Sequence, residues 1–229
     1  MPRYALYFVP LSGNPLNEAA AHWLGRDVFS GAPIARPSPV AGVDDETFES
    51  LTKSPRRYGF HGTLKAPFEL AEGKSIEELA DAVESYAATM TAFALPKFRV
   101  GQLGPFFALL PEERSDALAE LAGDLVKTFD PFRAPLSDVD IARRNPEKLS
   151  ESQRANLMTW GYPYVLEDFR FHMTLTDPVS DDLAGAFLEA ASEHFAPYLA
   201  DVQLVNALSL FVEAERGAPF SLYQQFPVG

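Results

Sequence analysis

The chain has 229 residues, 47% hydrophobic and 12% aromatic, enough to bury one broad core without covalent staples. It contains no cysteine, which excludes disulfides, thiolate nucleophiles, iron–sulfur clusters and cysteine zinc sites and makes the cytoplasm the expected location. With 19 basic against 32 acidic residues the net charge is −13, which disfavours a long nucleic acid as partner but leaves room for a small phosphate ester held by a few local cations.

The opening MPRYALYFVPLSGNP has only a short apolar run with no small-residue cleavage site, and no stretch of about 18 apolar residues occurs, so neither a signal peptide nor a membrane span is expected. Tyr4 to Val9 reads as a first strand. Asn14-Pro15 then has the form of an N-cap with proline in the first turn, opening a helix to about Val28. After a loop rich in proline and glycine, a short helix is expected from Asp44 to Leu51 and a strand from Phe60 to Ala66. Ser75-Ile76-Glu77-Glu78 is a capping-box pattern, and Ile76, Leu79, Ala80, Val83 and Tyr86-Ala87 form one apolar helical stripe. Phe93 to Leu103 and Pro105 to Leu110 read as two further strands.

The second half repeats this grammar. A helix is expected from about Glu112 to Phe129, an irregular segment through Pro146 as a linker or flap, and a short helix from Ser152 to Trp160. A strand follows over Phe169 to Thr176, then a helix capped at Ser180 and running to about Phe195, then strands over Val202 to Val212 and Phe220 to Phe226. Strand, helix and strand pair thus occur twice. The expected architecture is α+β: a single bilobal domain with a pseudo-two-fold, two antiparallel sheets lining a central cleft and helices packed outside, the repeats covering roughly 1–110 and 111–229 with the lobes intertwined.

Two segments match each other better than anything else in the chain: Phe60-His61-Gly62-Thr63-Leu64 and Phe171-His172-Met173-Thr174-Leu175, both Phe-His-x-Thr-Leu and half a chain apart. Alternate side chains leave opposite faces of a strand. Phe60, Leu64 and Ala66 therefore fall on one face and His61, Thr63 and Lys65 on the other. Likewise Phe171, Met173 and Leu175 share an apolar back, with Arg170, His172, Thr174 and Thr176 in front. If both fronts meet one cleft, it holds two imidazoles, two threonine hydroxyls, a lysine and an arginine. Cleaving a phosphodiester needs one group to take a proton from the attacking oxygen and another to supply one to the leaving oxygen, and histidine titrates near working pH. Threonine hydroxyls, Lys65 and Arg170 suit the non-bridging oxygens.

The paired His-x-Thr strands resemble the 2H phosphoesterase superfamily, which includes bacterial RNA 2′,5′ ligases and cyclic nucleotide phosphodiesterases. Arg57-Tyr58-Gly59-Phe60-His61-Gly62-Thr63-Leu64-Lys65-Ala66-Pro67-Phe68 is similar to a branch encoded with phosphonate-utilisation genes. The resemblance implies a bilobal fold with the motifs on adjacent central strands, His61 and His172 catalytic, Thr63 and Thr174 on phosphate, and no cofactor or metal. It also implies His172 as base and His61 as acid. The expected partner is a small phosphate ester, a cyclic phosphodiester or sugar phosphate, with no membrane partner.

Outside the motifs, Arg143 and Arg144 are candidates to close over a phosphate, and Arg56, Arg57 and Tyr58 to reach the cleft rim. Tyr223 is a candidate to stack on a base or bond phosphate. His22 and His194 read as structural, and Trp160, Tyr162 and Tyr164 as packing. Three rival readings remain: a metallohydrolase adding Asp168 to the two histidines, a non-catalytic binder of a nucleotide or phosphorylated metabolite, and an RNA ligase or RNA-end processing role.

Overall fold

The computed structural model describes residues 1–229. The first strand, β1 (Arg3–Phe8), leads into α1 (Pro15–Leu24), where the Asn14 side chain accepts from Leu16 N and proline opens the helix. Gly25, at φ 74°, stops α1 in the left-handed region that a glycine enters without steric cost, earlier than the expected end near Val28. After α2 (Asp45–Leu51), α3 (Lys53–Tyr58) forms a further turn of helix ahead of β2 (Gly62–Phe68). In α4 (Ile76–Ala87) both bonds of the Ser75/Glu78 capping box are present.

The expected long strand from Phe93 divides at Pro96 into β3 (Phe93–Ala94) and β4 (Phe98–Leu103), with β5 (Phe106–Pro111) returning beside it. Then come α5 (Asp116–Thr128), α6 (Asp138–Ala142), α7 (Glu151–Trp160), β6 (Met173–Thr174), α8 (Asp181–Leu199), β7 (Leu204–Val205), β8 (Ala207–Glu213) and β9 (Phe220–Pro227). No helix is long and apolar enough to cross a membrane.

The α+β class and antiparallel pairing hold. β3 pairs with β7, and the other strands form one seven-stranded sheet in the order β4-β5-β6-β2-β1-β8-β9. The sheet falls into two groups, β4-β5-β6 and β2-β1-β8-β9, each drawing strands from both halves of the chain. They meet where β2 and β6 lie side by side through the single pair Gly62↔Met173. The two histidine motifs are therefore neighbours at the centre of the sheet.

One face of this sheet is buried by helices. Tyr4, Leu6 and Phe8 of β1 join side chains of α1, α4, α5 and α8 in a core of 39 buried residues. Each large apolar side chain buried there contributes about 1.5–3 kcal/mol. Trp23 Nε1 donates to Leu175 O at 3.0 Å and His194 Nε2 meets Ala19 O at 2.8 Å, so α1 is tied both to the second motif and to α8. On the other face Ala5, Tyr7 and Val9 pack with Val28, Phe211 and Phe220 in a smaller cluster. That thinner face carries the candidate site.

Candidate active site

Antiparallel register places the four motif side chains. With Gly62 opposite Met173, continuing the register sets His61 opposite Thr174 and Thr63 opposite His172. Directly opposite residues share a face and stand about 4.5–5.5 Å apart. Each histidine is thus crossed with the threonine of the other strand. Gly62 makes this approach possible, because a Cβ there would overlap Cε2 and Cζ of Phe171. That ring cannot move aside freely, since it stacks on Phe98 with centroids 6.0 Å apart and meets Phe8 edge-on.

Both imidazoles are held in the same way. His61 Nδ1 lies 2.8 Å from Gly59 O, and His172 Nδ1 lies 2.8 Å from Arg170 O. A carbonyl oxygen only accepts, so Nδ1 carries the hydrogen in both rings and each Nε2 is left with its lone pair when the ring is neutral. His61 Nε2 is 3.2 Å from Thr63 Oγ1, while His172 Nε2 has no protein partner. Gly59 supports the first arrangement, ending α3 at φ 79°, where a side chain would be strained. Arg26 pins that turn by donating to Arg56 O and Arg57 O.

The aromatic neighbours separate the two histidines. Tyr7, 1% exposed, stacks on His61 with ring centroids 3.8 Å apart and planes at 24°. Phe106 lies 5.6 Å from His172 at a tilt. Burial lowers the His61 pKa to about 4, a backbone bond to Gly59 O opposing it and the nearby His172 adding to it. Burial also lowers His172, opposed by its bond to Arg170 O, but by a smaller shift.

A cavity of about 510 Å³ opens in front of His172, lined by Thr63, Phe106, Tyr162, Tyr164, Arg170 and Gln153 among others. Arg170 is exposed at its margin. A second, of about 250 Å³, meets the first along Ala66, Tyr162 and Val165. Lys65, Arg143 and Arg144 line this second cavity and not the first.

The expectation for Lys65 is corrected by a β-bulge. Thr63 pairs with Tyr7 on the cleft face, but the register then shifts and Lys65 pairs with Leu6, whose side chain enters the core. Lys65 is 3% exposed and donates to Val126 O at 2.9 Å. Tyr223 is also displaced by a register shift, between Leu210 and Phe211, and lies exposed on β9 outside both cavities. Thr174 and His61 line neither cavity.

Tyr58 stands 6.1 Å from His61, ring to ring, beneath the Arg57 guanidinium at 4.2 Å. Arg57 is paired with Glu213, and Arg56 with Glu49. Asp168 is committed to α7, accepting from Ser152, Gln153 and Asn156. No group of three or more histidine, aspartate or glutamate side chains is gathered closely enough to hold a metal ion.

Residues 63–221 match the family described as "Protein of unknown function (DUF1045)". The chain belongs to this DUF1045 family. Among curated proteins it is 41% identical over 231 residues to "Ribose 1,5-bisphosphate phosphokinase PhnN" of Janthinobacterium sp. (strain Marseille), covering 99% of this chain and 51% of that protein. It is 34% identical over 220 residues to the protein of the same name from Laribacter hongkongensis (strain HLHK9), covering 96% of this chain and 50% of the other. The DUF1045 chain thus spans about half the length of the curated relatives it matches. Two solved structures align along its length: "Crystal structure of phosphoesterase", 15% identical with TM-score 0.43, covering 100% of this chain and 99% of that one, and E. coli LigT complexed with phosphate, 13% identical with TM-score 0.41 and the same coverage. At those identities and scores the likeness has no bearing on the chemistry.

Proposed function

We propose that the chain is a phosphoesterase that hydrolyses a small, cyclic phosphodiester of a phosphorylated sugar or nucleotide without a metal, using His61 and His172 as its acid–base pair. The observation that carries this reading is the crossed square of two histidines and two threonines about Gly62 and Met173, with both Nδ1 atoms occupied by backbone carbonyls. Both Nε2 atoms are thereby available for proton transfer.

Two imidazolium ions this close repel, so the resting pair holds at most one proton under working conditions. His172 is the less depressed of the two and is the better place for it. In the step we propose, His61 Nε2 takes a proton from water as its oxygen bonds to phosphorus. The phosphorus–oxygen bond to the leaving group breaks, and His172 Nε2–H protonates that oxygen. The Thr63 and Thr174 hydroxyls donate to the non-bridging oxygens, with Arg170 at the margin. Proton exchange with solvent resets the pair. This order reverses the one implied by the superfamily resemblance.

The kinase activity in the relatives' name is not carried to this chain. A phosphate-binding loop of the form Gly-x-x-x-x-Gly-Lys-Ser/Thr would need glycine where Phe68 precedes Gly73-Lys74-Ser75, and the Ser75 side chain is engaged in capping α4. The ribose bisphosphate in that name supports a phosphorylated sugar as the substrate class, and a place in organophosphonate breakdown rests on the branch resemblance alone.

The test is turnover of a panel of 2′,3′-cyclic nucleotides and cyclic ribose phosphates in EDTA, beside the His61→Ala/His172→Ala double variant. The reading expects chelator-resistant turnover that the double variant loses. Turnover abolished by chelator, or retained by the double variant, contradicts it.

A further inference from the structure

The cavity beyond Tyr162 has an electrostatic character opposite to that of the protein. Six cationic side chains line it, Arg3, Lys65, Arg133, Arg143, Arg144 and Arg216, against the two carboxylates of Glu69 and Asp140, in a chain of net charge −13. Most of these cations are committed. Arg133 pairs with Asp130 at 2.8 Å, Arg216 with Asp140 at 2.7 Å and Glu69 at 3.1 Å, and Arg3 with Glu213. Asp140 is shared, with Arg143 at 3.7 Å, so the paired arginines are matched by carboxylates and the excess positive charge rests on the remaining two cations.

Lys65 and Arg144 have no carboxylate partner. Lys65 is 97% buried, with one bond, to Val126 O, for its three donors. Its pKa is lowered to about 8, first by burial, with Asp130 opposing and Arg133 assisting. A buried ammonium short of acceptors costs free energy that an anion would recover. The Arg144 guanidinium rests on the Tyr162 ring, 4.9 Å from its centroid, and Tyr162 is one of the three residues where this cavity meets the one in front of His172. Leu70 bridges to Arg133, and Ala134 N donates to Glu69 O at 2.8 Å, so the 131–146 segment forms a wall of the cavity.

We propose that this cavity binds a phosphate monoester carried by the same small molecule whose phosphodiester is cleaved at the histidines, so that the substrate is doubly phosphorylated. Lys65 and Arg144 bind the monoester dianion, two positive charges without a carboxylate partner against two negative ones. The molecule spans the ring of Tyr162. The substrate assignment rests on the proposed phosphodiesterase activity; the anion site itself does not.

Two measurements separate those layers. Calorimetric binding of inorganic phosphate to the His61→Ala/His172→Ala protein, which cannot turn anything over, is compared with the same protein carrying Arg144→Ala or Lys65→Met. Arg144 is exposed, so its substitution leaves the core untouched, and methionine fills the buried lysine's volume. Each substitution is expected to weaken phosphate binding at least tenfold, as for loss of a charge-assisted contact worth about 1.5–3 kcal/mol. Unchanged binding in both overturns the site, whatever the histidines do.

The second measurement compares kcat/KM for a nucleoside 2′,3′-cyclic phosphate with and without a 5′-phosphate, in wild type and Arg144→Ala. The 5′-phosphate is expected to raise kcat/KM at least tenfold in wild type, and Arg144→Ala to remove most of that advantage. Phosphate binding without any such advantage overturns the substrate assignment and leaves an independent anion site. Turnover of neither compound, with phosphate binding lost in both variants, faults the phosphodiesterase reading rather than the site.

Discussion

The two His-x-Thr motifs share five-residue sequence grammar and the same Nδ1 bond to the carbonyl two residues back, yet they are supported differently. His61 leads into the seven-residue β2 and lies under the Tyr7 ring, whereas His172 precedes the two-residue β6 and stands beside Phe106 with Nε2 open. The shared bond fixes the tautomer in both. The unshared aromatic cover sets how strongly each ring resists a proton, so one motif used twice yields two groups of different proton affinity.

The largest expected break in this comparison is removal of either imidazole. His61→Ala and His172→Ala should each lower kcat by about 10² to 10⁴-fold with little change in the urea unfolding midpoint, because general acid–base groups are typically worth that much. A variant that unfolds but retains specific activity would make its histidine structural. Next is Gly62→Ala, which drives a methyl group into Phe171 and separates the strands that carry the pair. Overpacking of this kind costs about 1–3 kcal/mol, and activity should fall even where the protein remains folded.

Acid stability sharpens the comparison. The ordinary imidazole, as in the unfolded chain, binds its proton near pH 6.5, and folded His61 does so only near pH 4. Between these values the unfolded state holds more protons, so stability falls as pH drops from about 6.5 to about 4 and is insensitive to this group above that range. His61→Gln should reduce the loss between pH 7.5 and pH 4.5 by an amount on the order of 1–3 kcal/mol, read from urea midpoints. The smallest effect is expected from Tyr7→Leu, which opens the cover on His61 and should move the acid limb of the kcat/KM profile upward by less than about one pH unit. Tyr7→Phe keeps the stacked ring and should leave that limb in place.

The histidine pair was legible because its evidence is local. Identical residues recur at period two, and a period-two pattern identifies a face as long as the strand is regular. The caps of α1 and α4 were legible for the same reason, since each lies within a few residues. Where the sheet departs from regularity, parity misleads. The register shift between Leu6 and Tyr7 puts Lys65 off the histidine face, and the shift between Leu210 and Phe211 displaces Tyr223. The second motif strand, expected over eight residues, pairs over two, because Arg170 O is taken by its own histidine and Phe107 N donates to Thr176 Oγ1 instead of a ladder carbonyl.

Tyr7 and Phe106 were not legible as site residues, since their place beside the histidines depends on which strands become neighbours. The cationic cavity was hidden more deeply. Arg3, Lys65, Arg133, Arg144 and Arg216 come from five separated stretches of an acidic chain, and only tertiary folding brings them to one wall. Arg143 and Arg144 stood out as an adjacent pair, but nothing local links them to Lys65. Tyr162, which reads as packing, lines both cavities where they meet, together with Ala66 and Val165.

The most direct test of the paired-histidine account is a site-resolved ¹⁵N NMR titration of the imidazoles in the free protein. The account predicts Nδ1–H tautomers for both His61 and His172, with His61 titrating near pH 4 and His172 lowered from its ordinary value by burial. Nε2–H tautomers, or two rings titrating together at 6.5, would contradict it.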